Sequence, residues 1–292
     1  MRVVITGCES FIGRELIKQC CVSGIQYVGI DVSACSAAGH IPMDIRSPDI
    51  DEAIPTGADV LIHLAAISRD EDCRRDTLAA FDVNVGGTMN LIRAARARAV
   101  RQFVFASSEW VYGEVANDAS QSEEAVIDVN RISSEYALTK IVGERTLTLA
   151  FAGGPCAATV LRFGIVYGPR LANWSAVEAL FDAVATKDVV EIKGSARTAR
   201  RFIHVTDVAA GILAALGRQG HETFNLSGDT LVSLGDIIKE SAAILGRSPK
   251  VVERDPSAIS IRNPSNTKAR DVLGWRPAIG LRQGLMTLLP AN

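Results

Sequence analysis

The chain has 292 residues, 48% hydrophobic and 22% charged, enough apolar surface for one large domain or two modest ones and too much for extensive disorder. A formal net charge of −2 gives no bulk attraction to nucleic acid or to an anionic membrane. Six scattered cysteines, with no CxxC pair and no His/Cys run at zinc spacing, predict reduced thiols of a cytoplasmic protein and no metal. The N-terminus enters an apolar run at once, and no stretch of about 18 apolar residues occurs, so neither a signal peptide nor a membrane span is expected.

Val3–Ile5 is a short β-branched run, as expected of a buried parallel strand. Thr6-Gly7-Cys8-Glu9-Ser10-Phe11-Ile12-Gly13 follows and leads into a helix, and Tyr27–Ile30 forms a second strand ending at Asp31. A glycine-rich turn between strand and helix, with an acid closing the next strand, is the context of a dinucleotide site. Gly7 permits the tight turn and Gly13 lets the helix pack on the strand. The helix start offers N–H groups to a pyrophosphate. Asp31 can accept the adenosine ribose hydroxyls, and no Lys or Arg lies within 32–37 to meet a 2′-phosphate, which favours NAD over NADP. The middle glycine of the usual GxxGxxG spacing is Ser10, small enough to leave room and able to bond phosphate itself.

A third strand is expected near His40–Met43, followed by Asp44, which either contacts adenine or caps a helix before Pro48. Val60 to Ala66 reads as a buried strand ending in small residues that admit a cofactor, and His63 within it reads as a packing residue. A helix over 79–98 carries Asn84, and the strand 102–106 runs into Ser107-Ser108-Glu109-Trp110-Val111-Tyr112-Gly113. Ligands bind at the carboxyl ends of strands in open parallel sheets, so Ser107, Ser108 and Glu109 are placed for chemistry. A polar loop spans 114–130. The next helix, to about Phe151, carries Tyr136 and Lys140 one turn apart, and the ammonium is expected to lower the phenol's pKa.

Beyond Gly168-Pro169-Arg170, a helix over 174–186 and a strand over 189–192 are expected. Arg197, Arg200 and Arg201 then lie in a loop. Residues 202–205 and a helix capped by Asp207 are expected to return to the main sheet. A strand over 223–226 and a helix over 233–245 follow, and Arg254 or Arg262 is a candidate for a second phosphate contact. The expected fold is α/β: a Rossmann-type doubly wound parallel sheet over 1–165, with 201–226 returning to it, and a smaller C-terminal substrate-binding lobe over 166–292.

In this order, TGCESFIG (6–13), Asp31, HLAA (63–66), NVGGTMNLIRAA (84–95), SSEWVYG (107–113), YALTK (136–140), LRFGIVYGPR (161–170), RRFIHVTDVA (200–209) and LGWRP (273–277) resemble the extended short-chain dehydrogenase/reductase superfamily, particularly its nucleotide-sugar epimerase/dehydratase group. The resemblance implies that Tyr136 is the catalytic acid–base and that Lys140 lowers its pKa and binds the nicotinamide ribose. It implies that Ser108 faces Tyr136 across the reacting oxygen. It also implies cofactor contacts from Gly7, Ser10, Phe11, Ile12, Gly13 and Asp31, from Asp44, Ile45, Leu64, Ala65, Ala66, Asn84 and Ser107 around the adenosine and the cleft, and from Tyr136 and Lys140. Ser108, Glu109 and Arg200 would bind a nucleotide-sugar substrate, Arg200 at its phosphates. A homodimer through the helices 80–98 and 134–151 is implied as well.

Two departures narrow the expectation. Trp110 stands where a dehydratase of this group has a glutamate, and water elimination needs an acid and a base at two carbons. Ile165 stands where many epimerases have an asparagine that helps bind the diphosphate. The expected activity is NAD-dependent 4-epimerisation of a nucleotide sugar through a transient keto-sugar. Its rivals are a net dehydrogenase or keto-sugar reductase, then a 4,6-dehydratase, and a non-catalytic NAD-binding protein.

Overall fold

The computed structural model describes residues 1–34, 39–114, 118–170 and 175–290. Cys35 and part of the 32–37 stretch lie outside the described residues, as does Trp174 at the expected start of a helix. The chain divides into two compact units. Unit 1 holds Met1–Gly113, Ile127–Arg162 and Ala209–Phe224, and unit 2 holds Glu114–Val126, Phe163–Val208 and Asn225–Asn292.

Unit 1 begins with β1 (Arg2–Thr6), α1 (Phe11–Val22), β2 (Gln26–Asp31), β3 (His40–Pro42) and β4 (Val60–His63). It continues with α2 (Asp70–Arg75), α3 (Thr77–Phe81), α4 (Thr88–Ala97), β5 (Gln102–Ser108), α5 (Glu135–Phe151) and β6 (Ala157–Phe163). Further on come β7 (Val166–Tyr167), α6 (Ala176–Thr186), β8 (Val189–Ile192), β9 (Ala199–Arg200) and β10 (Ile203–His204). The chain ends with α7 (Val205–Ala214), β11 (His221–Leu226), β12 (Val232–Ser233), α8 (Leu234–Leu245), β13 (Lys250–Glu253), α9 (Thr267–Leu273) and α10 (Leu281–Met286).

The central seven-stranded sheet has the order β11-β6-β5-β4-β1-β2-β3. Its strand pairs β1–β2, β1–β4, β2–β3 and β4–β5 are parallel. Every residue of β5 and of β6 is buried, as helices on both faces of a parallel sheet require. Val4, Ile30, Leu61, Leu91, Phe103, Phe105, Leu147 and Phe151 belong to one core cluster. The order reverses at β1, so the carboxyl ends of β1, β4 and β5 lie side by side and carry Gly7, Leu64–Ala66 and Ser107–Glu109.

The helix expected over 79–98 is broken. A π-helical segment, Asp82–Gly87, sits between α3 and α4. Its extra residue lets Asn84 face inward, and Gly87 is needed because a Cβ there would lie 2.5 Å from Ile45 Cδ1.

Unit 2 has its own core around Tyr167, Val177, Phe181, Val184, Val190 and Ile237. Here the expected strand at 202–205 departs from the main sheet. β10 pairs in parallel with β7, Ile203 opposite Val166 and His204 opposite Tyr167, in a separate two-stranded sheet. The return to the seven-stranded sheet is made by β11. Asp207 is not an N-cap, because α7 begins before it at Val205. Instead its carboxylate accepts the backbone N–H groups of Ala278 and Ile279 at 2.9 and 3.0 Å.

Candidate active site

The turn after β1 is built for close backbone approach. Gly7 has φ 71°, and a Cβ on it would lie 2.6 Å from the Ala65 nitrogen. A Cβ on Gly13 would lie 2.3 Å from the Gly7 carbonyl oxygen, so the helix is seated directly on the turn. Ser10 caps α1, its Oγ accepting the Gly13 N–H at 3.1 Å, and Phe11 and Ile12 form the first turn. Serine thus takes the place of a glycine without obstructing the turn. Asp31 closes β2 and accepts the N–H of Glu9 at 3.0 Å and of Ser33 at 3.0 Å, which fixes its carboxylate beside the turn. Glycine seating, a helix N-terminus and an anchored acid fit a dinucleotide.

Asp44 accepts the Arg46 backbone N–H at 2.8 Å and its guanidinium at 2.6–3.1 Å, and those bonds hold its pKa below the ordinary carboxylate value. Asp44 caps no helix, since the short helical turn that follows is Ile50–Ala53 with Asp49 before it; its carboxylate closes a local turn onto Arg46 instead. Ile45 is buried against Gly87.

Ser108 ends β5, and α5 brings Tyr136 close enough to it that the Ser108 side chain favours the Tyr136 phenolate. The start of α5 is set by Ser134, whose Oγ accepts the Ala137 N–H at 3.1 Å and donates to Asp70 Oδ1 at 2.5 Å. Lys140 lies one turn beyond Tyr136 and is buried, its Nζ 5.6 Å from the Tyr136 ring centroid and 4.9 Å from that of Phe105.

The electrostatics differ from the sequence expectation. Removal of water pushes the Tyr136 pKa above the ordinary tyrosine range, with Cys73 adding to the rise and the Ser108 bond opposing it. The same desolvation pulls Lys140 down to about 8, while Cys73 and Glu144 hold it up. Proximity of a cation predicted a lowered phenol. In the fold, burial is the larger effect on both groups.

A buried network backs this pair. Glu144, one turn past Lys140, receives Arg162 Nε at 3.0 Å and Nη2 at 2.8 Å, and Ser107 Oγ at 2.5 Å. Arg162 Nη1 also donates to Tyr112 Oη at 3.0 Å, so both flanks of the Ser108 turn are tied to one ion pair. Asn84 acts from the π-helical segment. Its Oδ1 accepts the Ile67 N–H at 2.8 Å, and its Nδ2 donates to the Ile67 carbonyl at 2.9 Å and to Thr139 Oγ1 at 3.1 Å. It thereby joins the segment after β4 to the helix of Tyr136.

His63 is buried between two hydroxyls, 2.8 Å from Thr6 Oγ1 and 2.9 Å from Thr88 Oγ1. Thr88 donates its own proton to the Asn84 carbonyl at 2.6 Å, so it accepts from His63 Nε2, and Nδ1 accepts from Thr6. Burial pulls this imidazole down to about 3, with Lys140 adding to the fall, and it is a neutral packing residue as read from the sequence.

Glu109, next to Ser108, is fully buried, and Trp110 after it offers no titratable group. In unit 2, Arg200 donates to the Ser260 carbonyl at 2.6 Å and to Ser260 Oγ at 2.6 Å. Ser260 donates to Glu114 Oε2 at 2.5 Å, and Glu114 Oε1 receives buried Arg262 at 2.6 Å. Arg254 instead pairs with Glu191 on the surface, so the structure groups Arg262, not Arg254, with Arg200.

Sequence reading does not single out Glu144, Arg162, Thr139 or Cys73. Two signals were present: Glu144 shares a helix face with Lys140, and Arg162 is the lone charge in the apolar strand AATVLRF, where a charge must be paired.

Residues 3–227 match the model of the NAD dependent epimerase/dehydratase family. The chain belongs to that family. It is therefore an NAD-dependent enzyme of the extended short-chain dehydrogenase type. It is 29% identical to a UDP-glucose 4-epimerase of Mycolicibacterium smegmatis, over 98% of this chain and 96% of that one. It is 27% identical to UDP-glucuronic acid decarboxylase 4 of Arabidopsis thaliana, over 98% of this chain and 67% of that one. The solved structure of MoeE5 in complex with UDP-glucuronic acid and NAD is similar with a TM-score of 0.87 and 27% identity, covering 99% of this chain and 97% of that one. Among the described residues, no helix is long and apolar enough to cross a membrane.

Proposed function

We propose that this enzyme is a nucleotide-sugar 4-epimerase. The observation that carries the reading is the Ser108–Tyr136 hydroxyl pair with Lys140 buried behind it and one carboxylate, Glu109, beside it. In this reading Ser108 and Tyr136 share one substrate hydroxyl. Tyr136 takes its proton as the carbon is oxidised and returns it when the keto-sugar is reduced on its other face. NAD, when bound, supplies the hydride acceptor and, in its oxidised form, a positive charge that favours the phenolate. Lys140 keeps that phenol oriented and adds its own charge below about pH 8.

Elimination or decarboxylation calls for further acid–base work at a second carbon. The residue after Glu109 is Trp110, whose indole cannot supply it. Arg200 and Arg262 are the candidates for the substrate's diphosphate. Met89 and Leu149 are 54% and 60% exposed on α4 and α5, which supports a homodimer through the helices 80–98 and 134–151.

The test is incubation with NAD and UDP-, GDP-, dTDP- and CDP-sugars, with products resolved by chromatography. The expected result is interconversion of one C4-epimer pair with no net NADH. Stoichiometric NADH with an oxidised sugar would assign a net dehydrogenase instead, and release of CO₂ from a uronic acid would assign a decarboxylase.

A further inference from the structure

The sequence holds no zinc-spaced motif, yet the fold brings Cys8, Glu9 and His40 together, their ligand atoms all within 4.8 Å of one another. Cys8 and Glu9 belong to the turn after β1. His40 opens β3, which is paired with β2 beside it. We propose that these three side chains bind a single zinc-like divalent cation at the edge of the dinucleotide turn.

Four observations support the site. The first is spacing: Cys8 Sγ lies 3.4 Å from His40 Nδ1, and His40 Nδ1 lies 3.7 Å from Glu9 Oε1. With Zn–S near 2.3 Å and Zn–N and Zn–O near 2.0–2.2 Å, the edges of a tetrahedral site are about 3.4–3.6 Å. The second is the tautomer. His40 Nε2 lies 2.9 Å from the Ser33 carbonyl oxygen and must donate to it, which leaves the Nδ1 lone pair facing the sulfur and the carboxylate. A ligating histidine commonly has its other nitrogen held in this way.

The third is rigidity. The Glu9 N–H is held by Asp31 Oδ2, and Glu9 Oε2 receives Arg14 Nε at 3.2 Å, leaving Oε1 toward the histidine. The His40 side chain is only 3% exposed and Cys8 is fully buried. The fourth is the room made for sulfur: Gly29 opposite has no Cβ, and one there would lie 2.8 Å from Cys8 Sγ. Thiolate and carboxylate together offset a 2+ charge, with the imidazole neutral. Three protein ligands leave a fourth position for water.

The test is titration of the full-length, chelator-treated protein with Co²⁺, followed by absorption. The expected result is saturation at one equivalent, with a thiolate-to-cobalt charge-transfer band and the visible bands of a tetrahedral ion, both displaced by Zn²⁺. Cys8→Ser removes the charge-transfer band. Glu9→Gln, at a partly exposed position that leaves the fold intact, keeps the band and weakens binding by more than the about 10–100-fold that loss of a mere supporting partner costs. Cys21→Ser, at an exposed thiol away from the cluster on α1, changes neither. Absence of the band in the folded wild type overturns the proposal, as does a band that survives Cys8→Ser. In either case the cluster is a thiol–imidazole hydrogen bond beside a carboxylate.

Discussion

Arg162 and Glu144 meet through two N–H···O bonds inside unit 1, Nε at 3.0 Å and Nη2 at 2.8 Å, and both side chains are nearly closed to solvent. The pair joins β6 to α5 one turn past Lys140 and holds Ser107 and Tyr112 on either side of the Ser108 turn. Taking away one partner leaves a buried charge alone, which costs far more than the pair contributes net. Arg162→Met is therefore expected to lower unfolding free energy by about 3–5 kcal/mol, read from urea denaturation. The double variant Arg162→Met/Glu144→Gln should recover more than half of that loss, because it removes the stranded carboxylate. Equal loss in the single and double variants would mean that packing, not charge, is what the pair provides.

Tyr136→Phe keeps ring packing and deletes only the phenolic hydroxyl, the group Ser108 acts on. Turnover on the confirmed sugar should fall by about 10²–10⁴-fold, the usual worth of a general acid–base. NAD binding, followed by fluorescence quenching, should change little. A variant with most of its turnover intact would remove Tyr136 from the chemistry.

How much of this was legible beforehand divides along physical lines. Apolar runs such as Val3–Ile5 and Phe103–Phe105 and the Gly7 turn are local signals, and each yields its element. Three features were not local. The π-helical segment answers to Asn84 bonding Ile67 and Thr139, the latter 55 residues away. Asp207 reads as a cap until Ala278 and Ile279 are seen to claim its carboxylate. For Tyr136 and Lys140, spacing identified the partners but not the sign of the shift, since desolvation depends on everything packed around them.

His63 links the pH dependence of stability to the core. Its imidazole falls from an ordinary 6.5 to about 3 in the fold. Above pH 6.5 neither state takes the proton and there is no penalty. Between 6.5 and 3 the unfolded chain binds a proton that the folded one refuses, so stability drops as pH falls through that window. Denaturation at pH 6, 5 and 4 should show the wild type losing about 1.4 kcal/mol more per pH unit than His63→Gln. Parallel slopes would show that His63 does become protonated within the fold.

Lys140 gives a second window of the same sign, on the alkaline side. Its ammonium is drawn from 10.5 to about 8 by burial, so the folded state carries a charge it holds poorly. Below pH 8 both states are protonated and the full penalty applies. Between 8 and 10.5 the folded state gives up its proton while the unfolded chain keeps it, and stability from this group rises with pH; above 10.5 the penalty is gone. Lys140→Met keeps the apolar stem beside Phe105 and removes the charge. At pH 7 the variant should be more stable than the wild type, by an amount on the order of 3 kcal/mol at most. That advantage should shrink steadily from pH 8 to 10, while activity is lost at every pH. A variant less stable at pH 7 would show that the cation's contacts with the Tyr136 and Phe105 rings and with Glu144 outweigh its desolvation.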